Sequence, residues 1–182
     1  RRIEKIVSSL KDFSKQDTGE QKGLVDVKRM IETATLILNN LIKKSTNRFH
    51  MSLQDNLPPV EGNFQKLEQV IMNLITNACQ SLPDPEKALY VSAVYLKNES
   101  TIRIEIEDEG TGISEDNLKH IVDPFFTTKR DRGGTGLGLS IAYNIIQDHQ
   151  GQMIFESQIN KGTKIVVLLP VKQKTPSEES KI

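Results

Sequence analysis

The sequence predicts an α/β fold, a two-layer sandwich in which one mixed β-sheet is covered on one face by helices. Two observations carry this. Segments with strand period and segments with helical period are intermixed along the chain. Successive strand segments also sit close enough to pair as hairpins, which favours one sheet with its helices on one side.

In chain order, Ile3, Ile6, Val7, Leu10 and Phe13 have helical spacing, and residues 1–15 read as the end of a longer helix. Residues 16–23 are a polar linker holding Gly19 and Gly23. The main domain then spans 24–170. It opens on a short strand, Leu24–Val27. Residues 28–45 form one amphipathic helix whose apolar side chains are Ile31, Ala34, Leu36, Ile37, Leu38, Leu41 and Ile42. Phe49, Met51 and Leu53 alternate with polar residues, which makes 48–54 a strand, and Pro58-Pro59 breaks the chain. A second core helix covers 63–82 with Leu67, Val70, Ile71, Leu74, Ile75 and Ala78 on its apolar face. Tyr90–Leu96 and Ile102–Ile106 are strands joined through Lys97–Ser100. Ser114 caps a short helix over 114–122, with Asn117 where a capping box places Glu or Gln. No periodicity survives from Asp123 to Gly134. A helix from about 136 to 149 is ended by Gly151, and residues 152–157 and 163–169 make the last hairpin. Residues 171–182 form a polar tail, expected to be disordered.

Lys and Arg number 24 and Asp and Glu also 24, so net charge gives no reason to expect a nucleic-acid partner. The single cysteine, Cys79, can form no internal disulfide, which fits a reducing compartment. No apolar run approaches the ~20 residues of a membrane helix. The N-terminus has neither an initiator Met nor a signal-peptide pattern. The expectation is a cytoplasmic piece of a longer protein, with no membrane contact of its own. Whether the longer protein is membrane-anchored stays open.

Four blocks carry chemistry. Asn73 and Asn77 are one turn apart on the polar face of their helix. An amide oxygen is a hard, neutral ligand suited to Mg²⁺, which keeps several waters and binds mainly through substrate phosphates. The same amides also serve simply to solvate an exposed helix face. Asp108 ends a strand and is followed by Gly110, Gly112 and Ile113. A carboxylate there can accept a hydrogen bond from an exocyclic amine such as adenine N6, and glycines let backbone approach a flat ring. A plain tight turn uses the same residues. Gly133, Gly134, Gly136 and Gly138 lead into a helix, with Thr135, Leu137 and Leu139 between them. Their N–H groups and the helix N-terminus form a cradle for phosphate. The run is neither a Walker loop, lacking Gly-Lys-Ser/Thr, nor a dinucleotide fingerprint, lacking a strand directly before it. Such glycines also serve as lid hinges. Phe125-Phe126 in a polar loop suit a latch or a partner contact. Lys129, Arg130 and Arg132 are cations within the same loop, suited to phosphate oxygens or to plain solvation.

In this order, Gln69–Leu82, Asp108–Ile113, Phe125–Lys129 and Gly133–Ser140, followed by Gly162-Thr163, resemble the N, G1, F and G2 boxes of the Bergerat-type ATP-binding fold. Sensor histidine kinases, type II topoisomerases, the Hsp90 chaperone and the MutL repair protein share that fold. The resemblance covers residues 24–170. Phe-Phe-Thr-Thr-Lys followed by Gly-Thr-Gly-Leu-Gly-Leu-Ser is similar to the histidine kinase branch in particular. It implies the catalytic domain of a two-component sensor histidine kinase, with ATP and Mg²⁺ as ligands. Asn77 would hold Mg²⁺ and position the nucleotide, with Asn73 beside it. Asp108 would bind adenine N6 and Thr163 would support the ring. Gly134–Leu139 would wrap the phosphates. Gln80, Gly110, Gly112, Ile113, Phe126, Thr128 and Lys129 complete the implied nucleotide-binding set.

Topoisomerase-like members carry a general-base glutamate at the position of Asn73. An amide accepts no proton at neutral pH, which implies a pocket that binds ATP yet hydrolyses it poorly. The implied acceptor is a histidine followed by Glu or Asp on a dimerisation hairpin. His50, His120 and His149 do not fit and read as structural or surface residues. The implied partners are therefore the phosphoacceptor helix of its own homodimer and the receiver domain of a response regulator. Residues 1–15 would be the end of that hairpin. The competing readings are an ATPase and a non-catalytic, nucleotide-dependent binding module of the same fold.

Overall fold

The structure is a computed structural model that describes residues 22–129 and 134–171. The expected helix in 1–15, most of the linker, Arg130, Arg132, Gly133 and all but the first residue of the tail lie outside the described residues. The chain runs β1 (Gly23–Val25), α1 (Val27–Ile37), α2 (Asn39–Ser45), β2 (Arg48–Leu53), β3 (Val60–Gly62) and α3 (Phe64–Ser81). It continues through β4 (Ala88–Leu96), β5 (Thr101–Asp108), α4 (Glu115–Leu118), α5 (Gly138–Asp148), β6 (Gln152–Gln158) and β7 (Gly162–Pro170).

The fold is the expected two-layer sandwich. Five strands form one sheet in the order β2-β4-β5-β7-β6; β2 joins β4 in parallel and the other pairs are antiparallel. Helices α1 and α5 pack against α3, which lies on the sheet. Period-2 alternation decides the faces. Ile102, Ile104 and Ile106 of β5 are buried toward the helices, alongside Val91 and Ala93 of β4 and Ile165, Val167 and Leu169 of β7. Between them, Arg103, Glu105, Glu107 and Lys164 lie on the open face, where Lys164 bridges Glu105 and Glu107.

Four expectations are corrected. The first strand does not join the main sheet; β1 pairs with β3, a three-residue strand after Pro58-Pro59 too short for an alternation signal. The helix expected over 28–45 is two helices. The chain bends at Leu38, whose ψ of 4° leaves the helical region. Ile42 beyond the bend reaches the core, whereas Leu36 and Ile37 stay 74% and 55% exposed rather than lying on the buried face. The helix expected over 114–122 closes after one turn, at Leu118. Finally, the left-handed residue after α5 is Gln150, with φ of 58°, and not Gly151. Gly151 is small for another reason: a Cβ there would lie 2.6 Å from the Leu168 carbonyl oxygen.

Side chains cap three of the helices. Asp26 accepts from Arg29 N in α1, Asn63 from Lys66 N in α3, and Ser114 from Asn117 N in α4. At the start of α5, Leu137 supplies no side-chain cap.

His149 is buried and joins two helices. Its Nδ1 bonds the Ile145 carbonyl at 2.7 Å, and its Nε2 accepts from the Asn63 N–H at the start of α3, at 3.0 Å. Nε2 can accept only when the ring is neutral, and burial pushes the pKa below its ordinary 6.5. The unfolded chain therefore binds a proton before the folded one does as pH falls. This contribution is complete above about pH 6.5 and is lost as pH drops through the folded pKa. The urea midpoint is expected to fall between pH 7.5 and 5.5 more steeply for the native chain than for His149→Gln; equal slopes would exclude this role.

Candidate functional site

The strand pairing builds the site. Leu89 lies opposite Asp108, Asp108 opposite Thr163, and Thr163 opposite Ser157, a single row across four strands. Asp108 thus continues the buried stripe of Ile102, Ile104 and Ile106, and its carboxylate faces the helices. It is 6% exposed and Thr163 7%. Asp108 Oδ1 is bonded by Ser81 Oγ and by the Gly110 N–H, both at 2.8 Å. Burial pushes the Asp108 pKa up. The Ser81 and Gly110 hydrogen bonds, the Lys129 charge and the Thr163 backbone oppose that rise.

The loop after β5 is tied down along its length. Glu109 N donates to Ala88 O, Thr111 N to Ser81 O, and Asn160 N in the β6–β7 turn to Thr111 O. Ile113 N donates to Ser157 Oγ at 2.8 Å. Gly112 has φ of +67°, and a Cβ on it would sit 2.0 Å from the Gln158 carbonyl oxygen. The close approach that demands glycine here is to β6 itself.

These elements enclose a cavity of about 310 Å³, within the range of small-molecule sites. Leu74, Ala78, Ile106 and Ile165 supply its apolar floor, with Asp108 and Thr163 at one end. Of the residues expected from the sequence, Asn77, Gln80, Gly112 and Ile113 also line it. Phe126, Thr128, Lys129, Gly134, Thr135, Gly136, Gly138 and Leu139 line the rest. Asn73, Gly110 and Leu137 do not. Asn73 Nδ2 instead donates to Gly138 O at 3.1 Å, fastening α3 to α5. Gly110 acts through its N–H on Asp108, and Leu137 is packed in the core.

The sequence reading missed Ser81, Thr111, Asn117, Ile121 and Thr127, which also line the cavity. Ser81 had a signal: it stands one turn beyond Asn77, as Asn77 does beyond Asn73. Ser157 had none, being one hydroxyl among alternating polar residues.

Opposite Asp108, the uncapped start of α5 opens on the cavity through Gly138 and Leu139. First-turn N–H groups without a side-chain partner suit an anion. Lys129 lies nearby, its Nζ bonded to Asn77 O at 3.2 Å. The aromatic pair divides its roles. Phe126 lines the cavity beside His120, with ring centroids 5.8 Å apart. Phe125 is 52% exposed and takes φ of 67°, its N–H bonded to Gly136 O. Among the described residues no cluster of three His, Cys, Asp or Glu side chains is placed to hold a metal, and no helix is long and apolar enough to cross a membrane.

Comparison with known proteins agrees with this geometry. The chain is 35% identical over 175 residues to Sporulation kinase E of Bacillus subtilis (strain 168), covering 95% of this chain and 23% of that protein. It is 30% identical over 170 residues to the Sensor histidine kinase ZraS of Escherichia coli (strain K12), covering 93% and 35%. It spans between 23% and 38% of the length of the first such relatives. Among solved structures, the nucleotide-free catalytic domain of histidine kinase ThkA superposes with TM-score 0.72 at 26% identity, over 83% of this chain and 96% of that one. The sequence pattern described as "Histidine kinase-, DNA gyrase B-, and HSP90-like ATPase" matches residues 62–173. That match takes in more than half of the chain, from the last residue of β3 past the end of β7, and the chain belongs to this ATPase family.

Proposed function

We propose that this chain binds Mg·ATP and donates the γ-phosphoryl group to a histidine outside these residues, from which an aspartate of a response regulator takes it. The observation that carries the reading is the polarity of the cavity. A buried carboxylate at one end suits the exocyclic amine of a base, and an uncapped helix N-terminus at the other suits phosphate. Asn77 lines the space between them. The names of the sequence relatives support the kinase branch. The acceptor would stand on the helical hairpin of the chain's own homodimer, in the cytoplasm.

Magnesium fits this donor set only sparingly. With no carboxylate cluster present among the described residues, Asn77 would be its protein ligand and the phosphates would supply the others. Bound there, magnesium would neutralise phosphate charge. The chain's own residues would orient the nucleotide and keep water from an in-line position. Asn73, an amide turned to Gly138 O, offers no general base, which supports transfer over hydrolysis.

The test mixes the chain, γ-labelled ATP and magnesium with a longer form of the protein whose own pocket carries Asp108→Asn. Acid-labile, alkali-stable label on the longer form is expected. Label found only as free phosphate means an ATPase, and label left wholly in ATP means a regulatory binder. Asn77→Ala is expected to reduce the magnesium-dependent part of ATP affinity by roughly tenfold, about 1.4 kcal/mol. Calorimetric titrations with and without magnesium check this, and an unchanged magnesium response removes the metal role.

A further inference from the structure

Ser157 touches three groups from two other segments, the loop after β5 and the start of β7. The Ile113 N–H donates to its Oγ at 2.8 Å, Gly162 O lies at 2.8 Å, and Thr163 Oγ1 at 2.9 Å. A hydroxyl has one proton and two lone pairs. For all three contacts to be hydrogen bonds at once, Gly162 O, which can only accept, takes the Ser157 proton. Thr163 must then donate its own proton to Ser157, and only lone pairs remain on Thr163 Oγ1 to meet the cavity it lines. Asp108, its neighbour across the β5–β7 pair, offers acceptors only while ionised. Asp108 and the Thr163 hydroxyl then meet the cavity with acceptors only.

We propose that Ser157 is a positioning residue for base selection: by holding the Thr163 proton it makes this corner favour a ring edge that presents an amine over one that presents a carbonyl. The proposal rests on the nucleotide reading above. Ser157 touches no ligand itself and acts through Thr163.

The probes are ATP and ITP, whose ring carries a carbonyl where adenine carries its amine. Binding of each to the full chain is titrated at fixed magnesium. The unmutated chain is expected to prefer ATP. In Ser157→Ala the freed Thr163 proton can turn toward the carbonyl, so the ATP:ITP affinity ratio narrows by roughly two- to tenfold, the worth of one hydrogen bond. Ser157→Thr retains the hydroxyl and the ratio. Ser157→Cys, nearly isosteric and a weak hydrogen-bond partner, serves where Ser157→Ala does not fold. In a Thr163→Val background, Ser157→Ala no longer moves the ratio. An equal loss for both nucleotides, or the same narrowing in the Thr163→Val background, overturns the proposal and leaves Ser157 as a tether for the Ile113 loop. Failure of the unmutated chain to bind either nucleotide overturns the nucleotide reading, and this inference with it.

Discussion

Asp108→Asn is expected to weaken ATP binding by between about tenfold and a hundredfold while leaving the chain folded. The new amide oxygen can still accept from Ser81 Oγ and the Gly110 N–H, so the local scaffold survives. The second carboxylate oxygen becomes an NH₂ group. A donor then faces the amine that the carboxylate is proposed to accept from. A hydrogen bond to a charged group is worth about 1.5–3 kcal/mol, which gives the range of the loss. Stability should move the other way. Burial holds the Asp108 pKa above its ordinary value, so the ionised carboxylate opposes folding at neutral pH. Its destabilising effect is absent below the ordinary carboxylate pKa and grows until pH has passed the raised folded value. The melting temperature of the Asn variant at pH 7 is therefore expected to equal or exceed that of the native chain. Unchanged ATP affinity in a folded Asn variant would falsify the amine assignment.

Gly162→Ala is expected to cost about 2–6 kcal/mol of stability, combining backbone strain with overpacking. Gly162 has φ of +107°, and a Cβ on it would lie 1.7 Å from the Asp108 carbonyl oxygen. That oxygen belongs to the backbone of β5 and cannot swing aside as a long side chain would. The two strands must part at the point where Asp108 and Thr163 are paired, so ligand binding should fail with stability. Urea unfolding checks the first effect. A shift below about 0.5 kcal/mol, the range of ordinary surface substitutions, would mean that β5 and β7 do not meet in this register.

The cavity's two ends were legible in the sequence to different depths. Asp108 closes a run of alternating isoleucines, so its face followed from strand period alone. The glycine run before α5 marked where that helix begins, and its first turn carries no side-chain cap. Asn73 shows the limit of spacing arguments. Its face was right, but whether an amide looks into a cavity or across to Gly138 O depends on where α5 docks, which no local pattern encodes. Ser157 shows the same limit more sharply, since its contacts come from residues 113, 162 and 163 and arise only through sheet register. The bend at Leu38 was hidden because Leu36 and Ile37 are as apolar as the residues that do reach the core. Tertiary packing overrode a continuous helical pattern there.

The parallel pairing of β2 with β4 bears on how this protein can be shortened. Residues 48–53 pair with Ala88–Ala93 along one side of β4, and α1 lies against α3. A chain trimmed to the family match, residues 62–173, would leave β4 as a bare edge beside an uncovered apolar helix face. Unprotected edges of that kind template intermolecular strand addition. Such a piece is expected to precipitate on expression, whereas one beginning ahead of Gly23 keeps both covers and should remain monodisperse.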